Sequence, residues 1–204
     1  MNAIRPEIVV FDLGKVLLDF DYGIAARRIA ERSEADEATV RAVLDSSELL
    51  IRYETGLLAR HEFFEAVRSR TGFRGDLAEF GHCFADIFWP IEPMVELHRQ
   101  LRARRIPTWL FSNTNDLAME HIRRHFPFVH HFDGAVLSYE VRSMKPAPGM
   151  YETLERLAGK TGPQIAYLDD RPENVQAGLD RGWQAWVHTD PESSRRRLTG
   201  LGLL

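Results

Sequence analysis

Apolar residues along this chain gather in short continuous runs, separated by longer stretches with helical periodicity. The first run, Glu7-Ile-Val-Val-Phe-Asp12, is rich in β-branched residues and ends on a carboxylate. Continuous rather than alternating hydrophobicity predicts a strand buried on both faces of a parallel sheet. Residues 107–112, 164–169 and 183–188 repeat the pattern, and residues 134–138 predict a further strand. Between them, residues 93–104 set Met94, Val95, Leu97 and Leu101 against charges on the other side. Residues 150–158 space Tyr151, Leu154, Leu157 and Ala158 as a helix does, and residues 172–179 open with Pro, Glu and Asn, which favour a first helical turn. Strands alternating with helices predict an α/β fold with a parallel sheet.

Residues 19–89 break that rhythm. They contain no strand-like run and read as amphipathic helices at 23–33, 37–44, 61–71 and 76–88. The expected organisation is a Rossmann-like parallel sheet flanked by helices, over residues 1–18 and 90–204, with a helical cap inserted at 19–89. An insertion directly after the first strand is placed to cover the C-terminal edge of the sheet, where open α/β folds bind ligands. It reads as a lid.

With 204 residues, 44% apolar and 27% charged, the chain has the make-up of an ordinary globular protein with one sizeable core or a core and a small module. A net charge of −4 supplies no basic field to hold nucleic acid or an anionic membrane. The cluster Arg195, Arg196, Arg197 reads as the solvated face of a polar terminal helix. No apolar run approaches the roughly 20 residues of a membrane span, and residues 1–7 lack the apolar stretch of an export signal. The expected compartment is therefore the cytoplasm. The single cysteine, Cys83, can form no internal disulfide, and its helical setting between Phe80 and Phe84 suits a small buried apolar residue better than a nucleophile.

The strand ends change the picture. Asp12 ends the first strand, Ser112 and Asn113 another, Asp169 and Asp170 a third, and Lys145-Pro146 precedes the helix at 150–158. Taken singly, the aspartates read as turn or helix-capping residues, Ser112-Asn113 as turn chemistry, and Lys145 as a solvated side chain. In a parallel sheet, however, all these ends face one way and can converge on one pocket. Carboxylates crowded at one edge repel each other unless a cation sits among them, and oxygen donors suit Mg²⁺. A lysine, a hydroxyl and free backbone N–H groups beside it make a site for a dianionic phosphate. A carboxylate in line with the phosphorus can then act as a nucleophile. This is a phosphoryl-transfer constellation.

These stretches resemble the haloacid dehalogenase superfamily. Phe11-Asp12-Leu13-Gly14-Lys15-Val16-Leu17 is similar to its first motif, Phe111-Ser112-Asn113-Thr114 to its second, Met144-Lys145-Pro146 to its third and Leu168-Asp169-Asp170-Arg171-Pro172-Glu173-Asn174 to its fourth. Within the superfamily the likeness is strongest to the branch of bacterial α-glucose-1-phosphate phosphatases. The resemblance implies an Mg²⁺-dependent phosphatase acting on a small phosphorylated metabolite, with a sugar phosphate favoured. Asp12 would attack phosphorus and bind the metal, alongside the carbonyl of Gly14 and the carboxylate of Asp170. Asp169 would hold a metal-bound water or orient Lys145, and Asn174 would support the metal's ligands from behind. Ser112 and the backbone N–H of Asn113 would bind phosphate oxygens, and Lys145 would neutralise the charge shared by Asp12 and the phosphoryl group.

One position departs from the pattern. Most phosphatases of the superfamily carry a second Asp two residues after the nucleophile, as general acid and base; here that residue is Gly14. A backbone carbonyl survives the exchange, but proton transfer typically worth about 10²–10⁴-fold does not. Lys15 is either a substitute or an exposed turn residue. The rival readings are a metal-independent 2-haloacid dehalogenase and a non-catalytic protein that binds a phosphorylated ligand. The acidic pair Asp169-Asp170 speaks for a metal and against the dehalogenase. A receiver domain is excluded by order, because there the acidic pair precedes the phosphorylated aspartate.

Other candidates read as structure. His121 and His125 are four apart on a helix without an evident third ligand, and His130-His131 would point opposite ways if extended. Trp109 and Trp186 lie in apolar strand runs. Tyr22, Tyr53 and Trp89 are either substrate contacts or cap packing. Oligomeric state has no signature.

Overall fold

The unbroken apolar run at the start becomes β1 (Ile8–Phe11), with every residue buried. A short strand β2 (Leu18–Phe20) and five helices follow: α1 (Tyr22–Ala30), α2 (Glu37–Leu44), α3 (Ser47–Glu54), α4 (Arg60–Thr71) and α5 (Leu77–Ala85). Strand β3 (Phe88–Pro90) returns the chain to a β/α alternation of α6 (Glu92–Ala103), β4 (Thr108–Ser112), α7 (Asp116–His125) and β5 (Gly134–Leu137). The remainder is α8 (Ser138–Val141), α9 (Pro148–Ala158), β6 (Ile165–Asp169), α10 (Pro172–Asp180), β7 (Gln184–Val187) and α11 (Pro191–Gly200). The computed structural model describes residues 4–45 and 47–204. Residues 1–3, part of the stretch read above for an export signal, and Ser46 lie outside the described residues.

The strands predicted from continuous apolar runs form one parallel five-stranded sheet in the order β5-β4-β1-β6-β7, with helices packed on it. This is the expected α/β architecture with a helical insertion. Central β1 alternates its side chains between two cores. Val9 and Phe11 join Leu97, Leu101 and Leu110 on one face, while Ile8 and Val10 join Phe111, Tyr151 and Tyr167 on the other. Because β1 is flanked by β4 and β6, the chain leaves it in opposite directions on its two sides, and a crevice opens at their C-terminal ends.

The insertion has a core of its own, built around Phe63, Phe80, Phe84 and Tyr53. Tyr53 stacks on Phe63 with ring centroids 4.3 Å apart. Each such ring contributes on the order of 1.5–3 kcal/mol by burial. Four features of this segment differ from expectation, the first being that the helix expected over 23–33 ends at Ala30. The segment is not free of strands: β2 and β3 pair antiparallel, Asp19 opposite Trp89. The helix expected over 76–88 begins after the Asp76 cap, whose carboxylate accepts from Glu79 N, and stops at Ala85, since Phe88 is drawn into pairing with Phe20. Helix α3 is additional. Among the described residues no helix is long and apolar enough to cross a membrane.

Candidate active site

The backbone N–H of Asp12 donates to the Leu168 carbonyl at 3.0 Å, continuing the ladder between β1 and β6 and fixing the side chain at the C-terminal edge of the sheet. There Asp12 Oδ1 accepts from Leu13 N at 2.7 Å and lies 2.9 Å from Lys145 Nζ. The ammonium also donates to Asp169 Oδ2 at 2.6 Å and to the Phe111 carbonyl at 2.6 Å. Three partners thus satisfy its three donors. Lys145 is not the solvated side chain that its place before a proline suggests; its side chain is 1% exposed. Asn113 aims it. The Asn113 amide donates to the Lys145 carbonyl at 3.0 Å and accepts from the Lys145 N–H at 2.8 Å, clasping the backbone beside the cis Lys145–Pro146 peptide.

Asp169 is fully buried and its acceptors are occupied by protein groups. Besides Lys145, Oδ2 accepts from the Tyr167 hydroxyl, and Oδ1 accepts from Asn174 Nδ2 and Arg171 N, each at 2.9 Å. Asn174 is 2% exposed, and its Oδ1 is buried without a hydrogen-bond partner, an acceptor left open beside the carboxylates. Asp12, Asp169 and half-buried Asp170 each offer an oxygen within 4.8 Å of the others.

Lys145 alone does not balance these charges. Burial, helped by the charges of Asp169 and Asp170, pushes the Asp12 carboxyl up to about 8 despite the pull of Lys145. Burial and Asp169 also raise Asp170. Asp169 goes the other way: burial would raise it, but Lys145 and its hydrogen bonds hold it low. Lys145 in turn is kept charged, the two aspartates outweighing its desolvation. Oxygen donors, surplus negative charge and the open Asn174 acceptor together fit a small hard divalent cation such as Mg²⁺.

Above this cluster lies a cavity of about 260 Å³. Gly14, Ser112, Asn113 and Arg171 line it from the core, and Tyr22, Leu50 and Glu54 from the insertion. Ser112 is buried, its Oγ 3.3 Å from the Asn113 carbonyl. A Cβ on Gly14 would come within 2.9 Å of the Phe20 ring, so the ring occupies the space that a side chain at position 14 needs. Of the cap aromatics, Tyr22 reaches the cavity, Tyr53 is buried in the cap core and Trp89 is 42% exposed outside it. Glu54 and Arg171 were not singled out from sequence. No local pattern marks Glu54, whereas Arg171 follows the acidic pair directly.

The remaining candidates stay outside the cavity. Cys83 is buried in the cap core. His121 is less exposed than a free helix face, its side chain 10% accessible and stacked on His125 at 4.2 Å, with Asp86 of the cap 3.6 Å away. His130 and His131 end a 3₁₀ turn rather than an extended segment. Trp186 is buried and Trp109 packs at the margin of the second core. Arg196 and Arg197 are exposed on α11, and Arg195 donates to Gln100 at 2.8 Å.

The fold and this cluster define a hydrolase class that the family comparison names. The chain matches the haloacid dehalogenase-like hydrolase model over residues 6–181 and belongs to that family. It is 23% identical over 198 residues to a D-ribitol-5-phosphate phosphatase of Bacteroides thetaiotaomicron, covering 94% of this chain and 96% of that protein. A family enzyme of the same organism, solved with magnesium and inorganic phosphate, superposes with a TM-score of 0.77 at 20% identity, over 90% of this chain and 94% of the other. A HAD-like hydrolase of Porphyromonas gingivalis gives a TM-score of 0.80 at 20% identity, over 96% and 98%. At these identities the superpositions establish the fold.

Proposed function

We propose that this hydrolase is a magnesium-dependent phosphatase that cleaves a small phosphorylated sugar or sugar alcohol through an aspartyl-phosphate on Asp12. The observation that carries the reading is the meeting of Asp12, Asp169 and Asp170 within 4.8 Å of one another, with Lys145 Nζ 2.9 Å from Asp12, beside a cavity lined by both core and insertion. Asp12 attacks phosphorus, the bond to the ester oxygen breaks, and water then cleaves the acyl phosphate. Ser112 Oγ and the Asn113 N–H bind phosphoryl oxygens, while Lys145 offsets the charge that builds between Asp12 and the phosphoryl group. Asp12, Asp170 and the Gly14 carbonyl hold the magnesium, which supplies further neutralisation of the phosphoryl oxygens when bound. Asp169 orients Lys145, and Asn174 steadies the ligand set. The insertion, residues 19–89, acts as the cap that shields the site and reads the substrate.

The ribitol phosphate activity of the Bacteroides relative and the polar cap groups Tyr22 and Glu54 support a polyol or sugar ester. Phosphate release from sugar 1-phosphates, pentitol 5-phosphates, nucleotides and p-nitrophenyl phosphate with Mg²⁺ tests the reading. Asp12→Asn is expected to abolish release while leaving the fold intact. Halide release from 2-chloropropionate without metal, and no phosphate release, would instead make the protein a dehalogenase. Silence on both panels would favour the non-catalytic phospholigand-binding reading.

A further inference from the structure

The space beside Gly14 is filled by Phe20, so no proton donor can stand there without moving that ring. Lys15, the next residue, is spent elsewhere. It ion-pairs with Asp19, donates to the Phe20 carbonyl at 2.9 Å and lies 4.6 Å above the Phe20 ring centroid. Of the other titratable groups lining the cavity, Asp12, Lys145 and Asp170 belong to the nucleophile and metal cluster. Arg171 is spent on an ion pair with Glu173 at 2.5 Å. The Tyr22 hydroxyl is driven well above its ordinary range by burial and the adjoining Glu54, so it holds its proton too tightly to exchange it. Glu54 remains.

We propose that Glu54, at the C-terminal end of cap helix α3, supplies the acid–base function that position 14 lacks; the inference rests on the phosphatase reading above. As Asp12 forms its bond to phosphorus and the P–O ester bond breaks, the Glu54 carboxyl gives its proton to the departing alkoxide, releasing the alcohol. The resulting carboxylate then takes a proton from water as that water attacks the aspartyl-phosphate. The P–O bond to Asp12 breaks, inorganic phosphate leaves, and both carboxyls return to their starting states.

Placement of Glu54 is built into the seam between cap and core. Its carbonyl accepts from Ser138 Oγ at 2.6 Å, and the same hydroxyl accepts from Thr114 N at 2.9 Å, just past the Ser112-Asn113 turn. One residue earlier, the Tyr53 hydroxyl donates to Asp116 on α7, and Arg60 bonds the same carboxylate at 2.6 Å. Two residues later the chain turns at Gly56 with φ 68°, where a Cβ would run into the Tyr139 carbonyl. The segment is fastened to core on both sides of Glu54 rather than hanging from a loose lid. The titratable groups facing its carboxyl are Tyr22 on α1, whose hydroxyl is 3.5 Å from Oε1, and Arg171 on the turn after β6. Burial raises this carboxyl to about 7 against the pull of both. An acid and base working near neutral pH needs a value in that range.

The test compares wild type with Glu54→Gln, which keeps size and removes the transferable proton, on D-ribitol 5-phosphate and p-nitrophenyl phosphate with saturating Mg²⁺. On the alkyl ester, kcat is expected to fall about 10²–10⁴-fold with KM little changed. p-Nitrophenolate leaves without an acid, so the variant is expected to release a burst equal to the enzyme concentration and then turn over slowly, its second step lacking a base. The wild-type decline of kcat/KM above about pH 7 on the alkyl ester is expected to vanish in the variant. Glu54→Asp, with the acid on a shorter arm, is expected to recover part of the rate and carries the comparison if the Gln variant does not fold. A raised KM with unchanged kcat would make Glu54 a substrate-binding group and overturn the proposal, as would equal rates in variant and wild type. Wild-type enzyme releasing phosphate from neither probe would instead bring down the phosphatase reading, and this inference with it.

Discussion

Replacing Lys145 by Met tests the electrostatic logic of the site apart from any turnover. Met has comparable length and fills the same apolar sleeve, but it removes the cation lying 2.9 Å from Asp12 and 2.6 Å from Asp169. Both carboxylates are nearly or fully buried, and the ammonium side chain is 1% exposed, so water cannot take its place. Removing one partner of a buried ion pair typically costs about 3–5 kcal/mol, because the other charge stays behind unsolvated. That is a large part of the roughly 5–15 kcal/mol that holds a domain folded. With a urea dependence of about 2 kcal/mol per molar, the unfolding midpoint should fall by about 2 M. The measurement belongs in EDTA, where no metal can substitute for the missing charge. A second substitution sharpens it: Asp169→Asn in the Lys145→Met background deletes the stranded charge, and the amide oxygen in the place of Oδ1 can still accept from Arg171 N and Asn174 Nδ2 while its NH2 donates to the Tyr167 hydroxyl oxygen. The double variant is expected to be more stable than the sum of the single losses implies, with a coupling above about 1 kcal/mol. Equal urea midpoints for wild type and Lys145→Met would refute the claim that this lysine offsets part of the carboxylates' buried charge.

Three further outcomes follow from the geometry. His98 is buried, stacked on Phe132 and bonded to Thr108 at 3.0 Å, and burial with the nearby Arg102 charge lowers it from 6.5 to about 4. Above 6.5 the ring is neutral folded or unfolded; below it only the unfolded chain gains the proton, so stability drains away as pH falls from 6.5 towards 4, by up to about 3 kcal/mol. Urea midpoints at pH 7.5 and 5 should therefore differ less in His98→Gln than in wild type. Gly56→Ala should lose at least about 2 kcal/mol, read by denaturation, since it combines a left-handed backbone with a collision at the Tyr139 carbonyl. Gly14→Asp should lower the melting temperature by overpacking against Phe20, a cost of about 1–3 kcal/mol, and Phe20→Ala should relieve part of it.

What was legible in the sequence was whatever repeats with a period or sits at a strand end. The runs at 7–12, 107–112 and 164–169 announce a buried parallel sheet because each is apolar on both faces, and the carboxylates that close them are visible for the same reason. Strands β2 and β3 were not legible. Each has three residues, too few for any pattern, and each is a strand only because the other, some 70 positions away, pairs with it. Lys145 looks solvated from its neighbours in sequence, because its burial depends on the Asn113 amide and on Asp169, neither of which is near in sequence. The motif points to the backbone N–H of Asn113, and only the fold shows its side chain clasping the lysine's backbone.

The missing side chain at position 14 is informative in the same physical terms. A glycine there could be read as damage to an otherwise complete site, and the chain as a protein that has lost its chemistry. The ring of Phe20 changes that reading, for it is packed into the space with Tyr22 edge-on at 5.6 Å and Lys15 across its face. A site decaying by drift leaves a cavity, and a cavity left among packed rings costs stability. Here the space is filled, and the residues that fill it, Phe20 closing β2 and Tyr22 opening the first cap helix, lie where the chain passes into the cap. The exchange at Gly14 and the geometry of the cap are thus one structural fact. With position 14 closed, an acid–base group must come from the cap, and α3 is the cap helix whose last residue, Glu54, lines the cavity.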